Sequence, residues 1–374
     1  MTRKYLAVLV STLLMGNVAN AAEIYNKDAN QLDLYGKVVG LNYISSNADA
    51  HGDKSYARLG FKGVTEISKT LSGYGQWEYN IKTSAPESAP GGSATRLAFA
   101  GLKFADIATF DYGRNFGVLY DVESMTDNNP EFGGDSWART DNFMTGRGNN
   151  LATLRTSNFF GAISGLNLAL QYQGKNEGSK GTENRDTSVE NGDGWGASTS
   201  YDLGSGIHIA AAYAKSDRTD AQSADKNGQS ADAWTAGLKY DANQLYLAAM
   251  YAETHNMTPY GKNQFANKTQ NVELVAQYLF VDGFAEGLRP SISYIQSTGK
   301  ALNEVKDDKD ATKSYKGGKH ALVKYVEVGT SYYFNKNMYT YVDYKINLLK
   351  KDNYTRLAAV NTDNIVGVGL VYQF

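Results

Sequence analysis

The last ten residues, IVGVGLVYQF, alternate without a break up to the end of the sequence. Val366, Val368, Leu370, Tyr372 and Phe374 fall on one face, and Gly367, Gly369, Val371 and Gln373 on the other. A side-chain period of two belongs to a strand with two unlike faces. The pattern recurs along the chain. QLDLYGKVVGLNY sets Leu32, Leu34 and Val38 against Asp33, Tyr35 and Lys37, and YARLGFKG sets Leu59 and Phe61 against Arg58, Gly60 and Lys62. KYVEVGTSYYF sets Val326, Val328, Tyr332 and Phe334 against Glu327, Gly329 and Ser331. After residue 21 no apolar run approaches the roughly 18 residues of a membrane helix, so a helical membrane protein is excluded. A transmembrane β-barrel is not, because its segments of about ten residues alternate apolar-out with polar-in.

Short turns such as 241–243 and 335–337 alternate with long polar inserts such as QGKNEGSKGTENRDTSVENGDG and KSDRTDAQSADKNGQSAD. A barrel with one tight rim and one loose rim has this pattern, and residues 22–374 can supply roughly 14 to 18 strands in a single domain. The 38 glycines and 27 tyrosines suit tightly turned antiparallel strands. A soluble sandwich or a filamentous adhesin shows the same alternation, but two features favour the barrel. The apolar faces end in aromatics (Tyr332, Phe334, Tyr372, Phe374), which prefer a membrane boundary. A strand that runs to the last residue also suits closure, since an open edge in lipid leaves backbone groups unpaired.

The start of the chain reads as a secretory leader over residues 1–21. Arg3 and Lys4 precede an apolar stretch from Tyr5 to Met15, and Ala19-Asn20-Ala21 offers a cleavage site. Without those two bases, 35 basic residues stand against 39 acidic ones. That balance excludes the basic face of a nucleic-acid binder. There is no cysteine, and histidines 51, 208, 255 and 320 have no zinc spacing. No GxSxG or phosphate cradle appears, so neither an enzyme nor a cofactor is expected.

One stretch breaks the alternation. Residues 130–147, PEFGGDSWARTDNFMTGR, are charged and irregular, yet carry Phe132, Trp137 and Phe143. Together with AEIYNKD, LDLYGK, YARLGFKG, GYGQWEY, TRLAFAGLKF, FDYGRNFGVLYD, SNFFG, GLKYDAN, FANKTQ, GLRPSISY, YYFNKNM and the terminal VYQF, this stretch resembles the trimeric general porins of the enterobacterial outer membrane. The resemblance spans the whole chain after residue 21. It implies an all-β, 16-stranded antiparallel transmembrane barrel in the outer membrane of a Gram-negative bacterium, assembled as a homotrimer, through which small hydrophilic solutes and ions diffuse. The third outer loop would fold into the lumen and constrict it.

By the same resemblance Asp127 and Glu131 are constriction acids on that loop. Asp135 holds the loop, and Tyr120 either lines the slit or packs the loop's root. Lys37, Arg58, Arg96 and Arg155 form the opposing basic wall. Periodicity is expected to agree, with Arg58 opposite Leu59 and Phe61, Arg96 opposite Leu97 and Phe99, and Lys37 opposite Leu34 and Val38. An arginine facing lipid at the midplane would cost roughly 2 to 4 kcal/mol.

Several departures bear on selectivity. Ala94 precedes TRLAF where some relatives carry a base, and Gly146 stands where the phosphoporin has a loop lysine. Arg139 is a substitute positive charge, while Leu154 and Trp137 either trim the slit or repack its support. Mild cation preference is the expectation, with an anion-preferring pore or a channel-poor adhesin or receptor as the alternatives. Glu87, in the loop IKTSAPESAPGGSA, would reach a neighbouring subunit. Leu34, Val38, Val366 and Leu370 would lie near the interface or in lipid. Phe374 resembles the terminal aromatic read by the outer-membrane assembly machinery. Lipopolysaccharide at acidic loops such as EGSKGTENRD and KDDKD, and phage or bacteriocins at the loop tips, complete the expected partners.

Overall fold

The computed structural model describes residues 22–88, 91–178, 185–261, 264–307, 309–310 and 312–374. The expected leader lies outside them. Sixteen strands form the wall: β1 (Asn30–Ser45), β2 (Tyr56–Ser68), β3 (Leu71–Lys82), β4 (Ala94–Phe104), β5 (Ala108–Phe116) and β6 (Arg147–Thr156). Then come β7 (Leu166–Gln173), β8 (Gly194–Gly204), β9 (Ile207–Asp217), β10 (Ser230–Ala242) and β11 (Leu245–His255). The last are β12 (Lys268–Tyr278), β13 (Leu288–Leu302), β14 (Gly318–Asn335), β15 (Met338–Asn347) and β16 (Ile365–Gln373). Each pairs antiparallel with the next, and β16 returns to β1 from Ser45↔Ile365 to Lys37↔Gln373. The sheet therefore closes into a barrel, which removes the unpaired edge that lipid would not tolerate.

The last strand and a short strand that follows the described start at residue 22 complete one seam together. Gly36 and Phe374 exchange backbone hydrogen bonds, both at 3.0 Å. Just beyond them the short strand Ala22–Lys27 takes over pairing with β1, starting at Ala22↔Leu34. Phe374 thus sits at the joint where pairing with β1 passes from β16 to the short strand Ala22–Lys27.

The alternation predicted two unlike faces, and β14 shows them plainly. Val328, Tyr332 and Phe334 are exposed on the outer surface, whereas Glu327 and Ser331 are buried inside. At the outer face Tyr332 meets Phe334 edge-on at 5.1 Å and Tyr278 meets Phe280 at 5.0 Å, aromatics of the kind that settle at a lipid boundary. No described helix is long and apolar enough to cross a membrane, so the strands do the spanning.

At one rim the connections 205–206, 243–244 and 336–337 hold two residues each. At the other rim the loop 117–146 is long enough to turn inward, and it opens with a one-turn helix, α1 (Tyr120–Glu123). Val118, Leu119, Val122, Trp137, Phe143 and Met144 of this loop are buried in a cluster with Ala210, Ala212, Ala214, Ala231, Ala233, Ala248 and Ala252 of β9, β10 and β11. Small side chains on the lumen face leave room for a loop to lie flat against the wall. A Cβ on Gly196 would come within 2.7 Å of Val118, and one on Gly237 within 2.8 Å of Val122. Burying each large side chain is worth about 1.5 to 3 kcal/mol, enough to hold a polar loop inside a wet lumen.

Candidate constriction site

From its apolar footing the loop crosses toward β13–β16 and β1, and polar contacts hold its tip. Asp343 on β15 accepts the backbone N–H groups of Glu131 and Phe132 at 2.9 and 3.0 Å. The Tyr43 and Tyr341 hydroxyls both donate to the Glu131 carboxylate. Asp135 accepts from the Tyr325 hydroxyl at 2.5 Å and pairs with Lys345 at 3.0 Å, so it holds the loop to β14 and β15. Asp127 is different. It is exposed to the lumen, takes one hydrogen bond from the Tyr120 hydroxyl, and lies in electrostatic reach of Arg147 and Arg96. Tyr120 stacks on Phe116 at 4.5 Å and so serves the loop's root while presenting its hydroxyl to Asp127.

The opposing wall carries the bases. Lys37 on β1 pairs in register with Arg58 on β2, both on the inner face, and both approach the Tyr56 ring at about 5.5 Å. Arg96 donates to Glu78 at 2.5 Å, and Arg58 approaches the same carboxylate at 3.8 Å. One buried acid thus offsets two like charges that would otherwise repel.

Arg96 reaches the lumen by a route that simple alternation misses. Leu97 lies opposite Glu78 and Phe99 opposite Gln76, so both occupy the inner face and not the outer one expected for them. The register shifts between Glu78 and Tyr79, leaving Arg96 as the extra residue of a β-bulge. The extra residue puts Thr95 and Leu97 on opposite faces, so the alternation reverses beyond the bulge while Arg96 itself turns inward.

Arg155 does not join the other arginines. Its guanidinium pairs with Asp121 at 2.8 Å beneath the root of the loop, and Ser198 also donates to that carboxylate. The arginine that does reach Arg58 and Arg96 electrostatically is Arg147, at the loop's exit. Its guanidinium lies over the Phe116 ring at 5.6 Å and donates to Thr140 at 2.8 Å. The sequence reading used Arg147 only to mark where the loop ends. A register shift against Gly113 and Asn115 separates Arg147 from Arg155 on β6, so simple alternation carried no signal for its place.

The other departures also find places. Trp137 is buried and its Nε1–H donates to Glu123 at 2.7 Å, so it supports the loop and does not line the lumen. Leu154 lies between Phe110 and Leu170 on the outer face, away from any slit. Gly146 is buried where a Cβ would stand 2.5 Å from the Arg139 carbonyl, so no side chain fits without moving that strand of the loop. Arg139 and Glu87 are exposed.

A closed antiparallel barrel with a lipid-compatible outer face and a charged, loop-narrowed lumen defines a membrane-spanning diffusion channel. The chain belongs to the Gram-negative porin family, whose model matches residues 27–374. It is 57% identical to outer membrane protein F of Serratia marcescens and 56% identical to outer membrane porin N of Escherichia coli K12, covering all of both chains in each case. A solved structure of Salmonella typhi OmpF in complex with daunomycin superposes with a TM-score of 0.83 at 47% identity, over 94% of this chain and 100% of that one. An anion-selective porin from Comamonas acidovorans shares the fold at a TM-score of 0.64 and 16% identity. The protein is a general diffusion channel of the outer membrane, not an enzyme, and passes small hydrophilic solutes through its lumen.

Proposed function

We propose that the passage is narrowest where Asp127 and Glu131 on the loop face Lys37, Arg58, Arg96 and Arg147 on the wall, and that this belt of opposed charge sets selectivity. The observation that carries the reading is Asp127: lumen-exposed, on the loop, within electrostatic reach of two wall arginines. Charges of opposite sign on two banks of a wet slit make a transverse field. A polar solute crosses by aligning its dipole and exchanging water for wall contacts. An apolar solute sheds ordered water without compensation and passes poorly.

Mild cation preference follows from two further features. Glu78 offsets part of the basic wall, and acids outnumber bases in residues 22–374. Cleavage after Ala21, assembly as a homotrimer with Glu87 at a neighbour, recognition of Phe374 by the assembly machinery, and loop tips open to phage or bacteriocins belong to the same reading.

The test is a planar-bilayer recording of purified protein in a salt gradient. The expected outcome is conductance that closes in thirds, a reversal potential of cation-preferring sign, and a further cation shift in Arg58→Ala/Arg96→Ala/Arg147→Ala. An unchanged reversal potential in the triple variant would mean that selectivity is set elsewhere.

A further inference from the structure

Beneath the inward loop two carboxylic acids meet without a base between them. Glu123 ends α1, Glu273 projects inward from β12, and both are fully buried. The loop occupies the Glu273 oxygens: Thr126 Oγ1 donates to one at 2.6 Å and the Ser136 N–H to the other at 3.0 Å. Trp137 Nε1–H donates to Glu123 Oε2, and the remaining Glu123 oxygen is buried with no partner. Thr126 ties the two residues to one turn of the loop, since its backbone N–H also donates to the Glu123 carbonyl at 2.9 Å, and the Glu273 carboxyl acts directly on that of Glu123. The other charged groups acting on them are Asp127 and Asp135, both acids. Of those, Asp135 is paired with Lys345, and Asp127 looks out toward Arg147 and Arg96.

Two ionised carboxylates cannot both persist in contact in a dry site, whereas one shared proton turns the clash into a charge-assisted O–H···O bond. We infer that Glu123 and Glu273 share one proton at neutral pH and act as positioning residues, a latch that fixes how far the loop stands from the wall and so how wide the passage is. The part about width rests on the constriction reading above; the latch itself does not. Burial, and then the Glu273 carboxyl, pushes Glu123 well above the ordinary carboxyl range. A group raised in this way favours the latched state at low and neutral pH. It releases that state as pH climbs through the raised value.

Two readouts separate the latch from the constriction. The first is acrylamide quenching of Trp137 in a protein whose other tryptophans, Trp77, Trp195 and Trp234, are replaced by phenylalanine. The second is single-channel conductance at high salt, where the lumen field is screened. Both are followed from about pH 6 to about pH 10. In the wild-type loop, quenching is expected to rise severalfold across this range and conductance to change with it. In Glu123→Gln the amide donates where the shared proton did, so both profiles should flatten. Glu273→Gln should flatten them as well, and it serves if the first variant folds poorly. Quenching that rises equally in wild type and variants, or in none of them, overturns the latch. Quenching that behaves as expected with conductance unmoved upholds the latch and sinks the reading of this loop as the width-setting element.

Discussion

Arg147 and Arg155 stand on one strand, on either side of a register shift against Gly113 and Asn115, and their charges do different work. Arg155 is matched at 2.8 Å by Asp121 and adds little field to the lumen, while Arg147 is paired with no carboxylate among the described residues and lies in electrostatic reach of Asp127. Arg147→Ala is expected to shift the reversal potential toward cations and leave unfolding in urea nearly unchanged. Arg155→Ala should do the reverse, with small selectivity change but a stability loss of about 3 kcal/mol, because a largely buried carboxylate is left without its partner. Equal selectivity shifts in the two variants would overturn the division. The sequence made Lys37 and Arg58 legible, since no irregularity intervenes and parity alone aims them. It could not place Arg96 from its neighbours, because a single extra residue against Glu78 and Tyr79 decides the matter. Nor could it reveal that Glu131 is clasped by Tyr43 and Tyr341, partners that are far away in sequence.

At the scale of elements, the inward loop and its alanine floor are one construction. Strand identity was readable from period-two patterning, and a long polar insert between β5 and β6 was readable too. That the insert turns inward came only through resemblance. A direct signal was present in IAAAYA, SADAWTAG and LAAMYA, where inner-face positions other than Thr235 and Met250 hold alanine or glycine while outer-face positions include Ile209, Tyr213, Trp234 and Leu247. A lumen face that merely met water would have no reason to be small and apolar. Replacing Ala212 with leucine should push the loop off its floor and into the passage. The added volume is expected to cost about 1 to 3 kcal/mol and to lower single-channel conductance. The same substitution at an outer-face position, Ala211→Leu, should leave conductance as it was. A conductance that ignored Ala212→Leu would show that the loop does not set the bore.

Across the whole molecule, acid should act in opposite senses at two depths. The outer rim is tied by Arg218, a buried arginine bonded to Asp225 at 2.6 and 2.9 Å and lying over the Phe265 ring at 5.2 Å. From the same loop, Thr219 and Gln222 donate to Glu190 at 2.6 and 2.7 Å, so loops 174–193, 218–229 and 256–267 are joined. Burial works against the Asp225 charge, but the Arg218 and Asn227 hydrogen bonds outweigh it and hold the carboxyl below the usual range. A depressed carboxyl contributes stability above its unfolded value, near pH 4, and loses it as pH falls through the folded one. Protonation there strands the Arg218 charge in a buried site, a penalty of about 3 to 5 kcal/mol. Glu123 shifts the other way, so the inward loop stays latched in acid. Pepsin digestion from about pH 4 down to about pH 2 should therefore nick loop 218–229 before loop 117–146 and before the barrel opens. Asp225→Asn should make the same loop susceptible to a neutral protease at pH 7, where wild type resists. A rim that stays intact until the barrel itself unfolds would mean that its stability comes from packing on Phe265 and not from the ion pair.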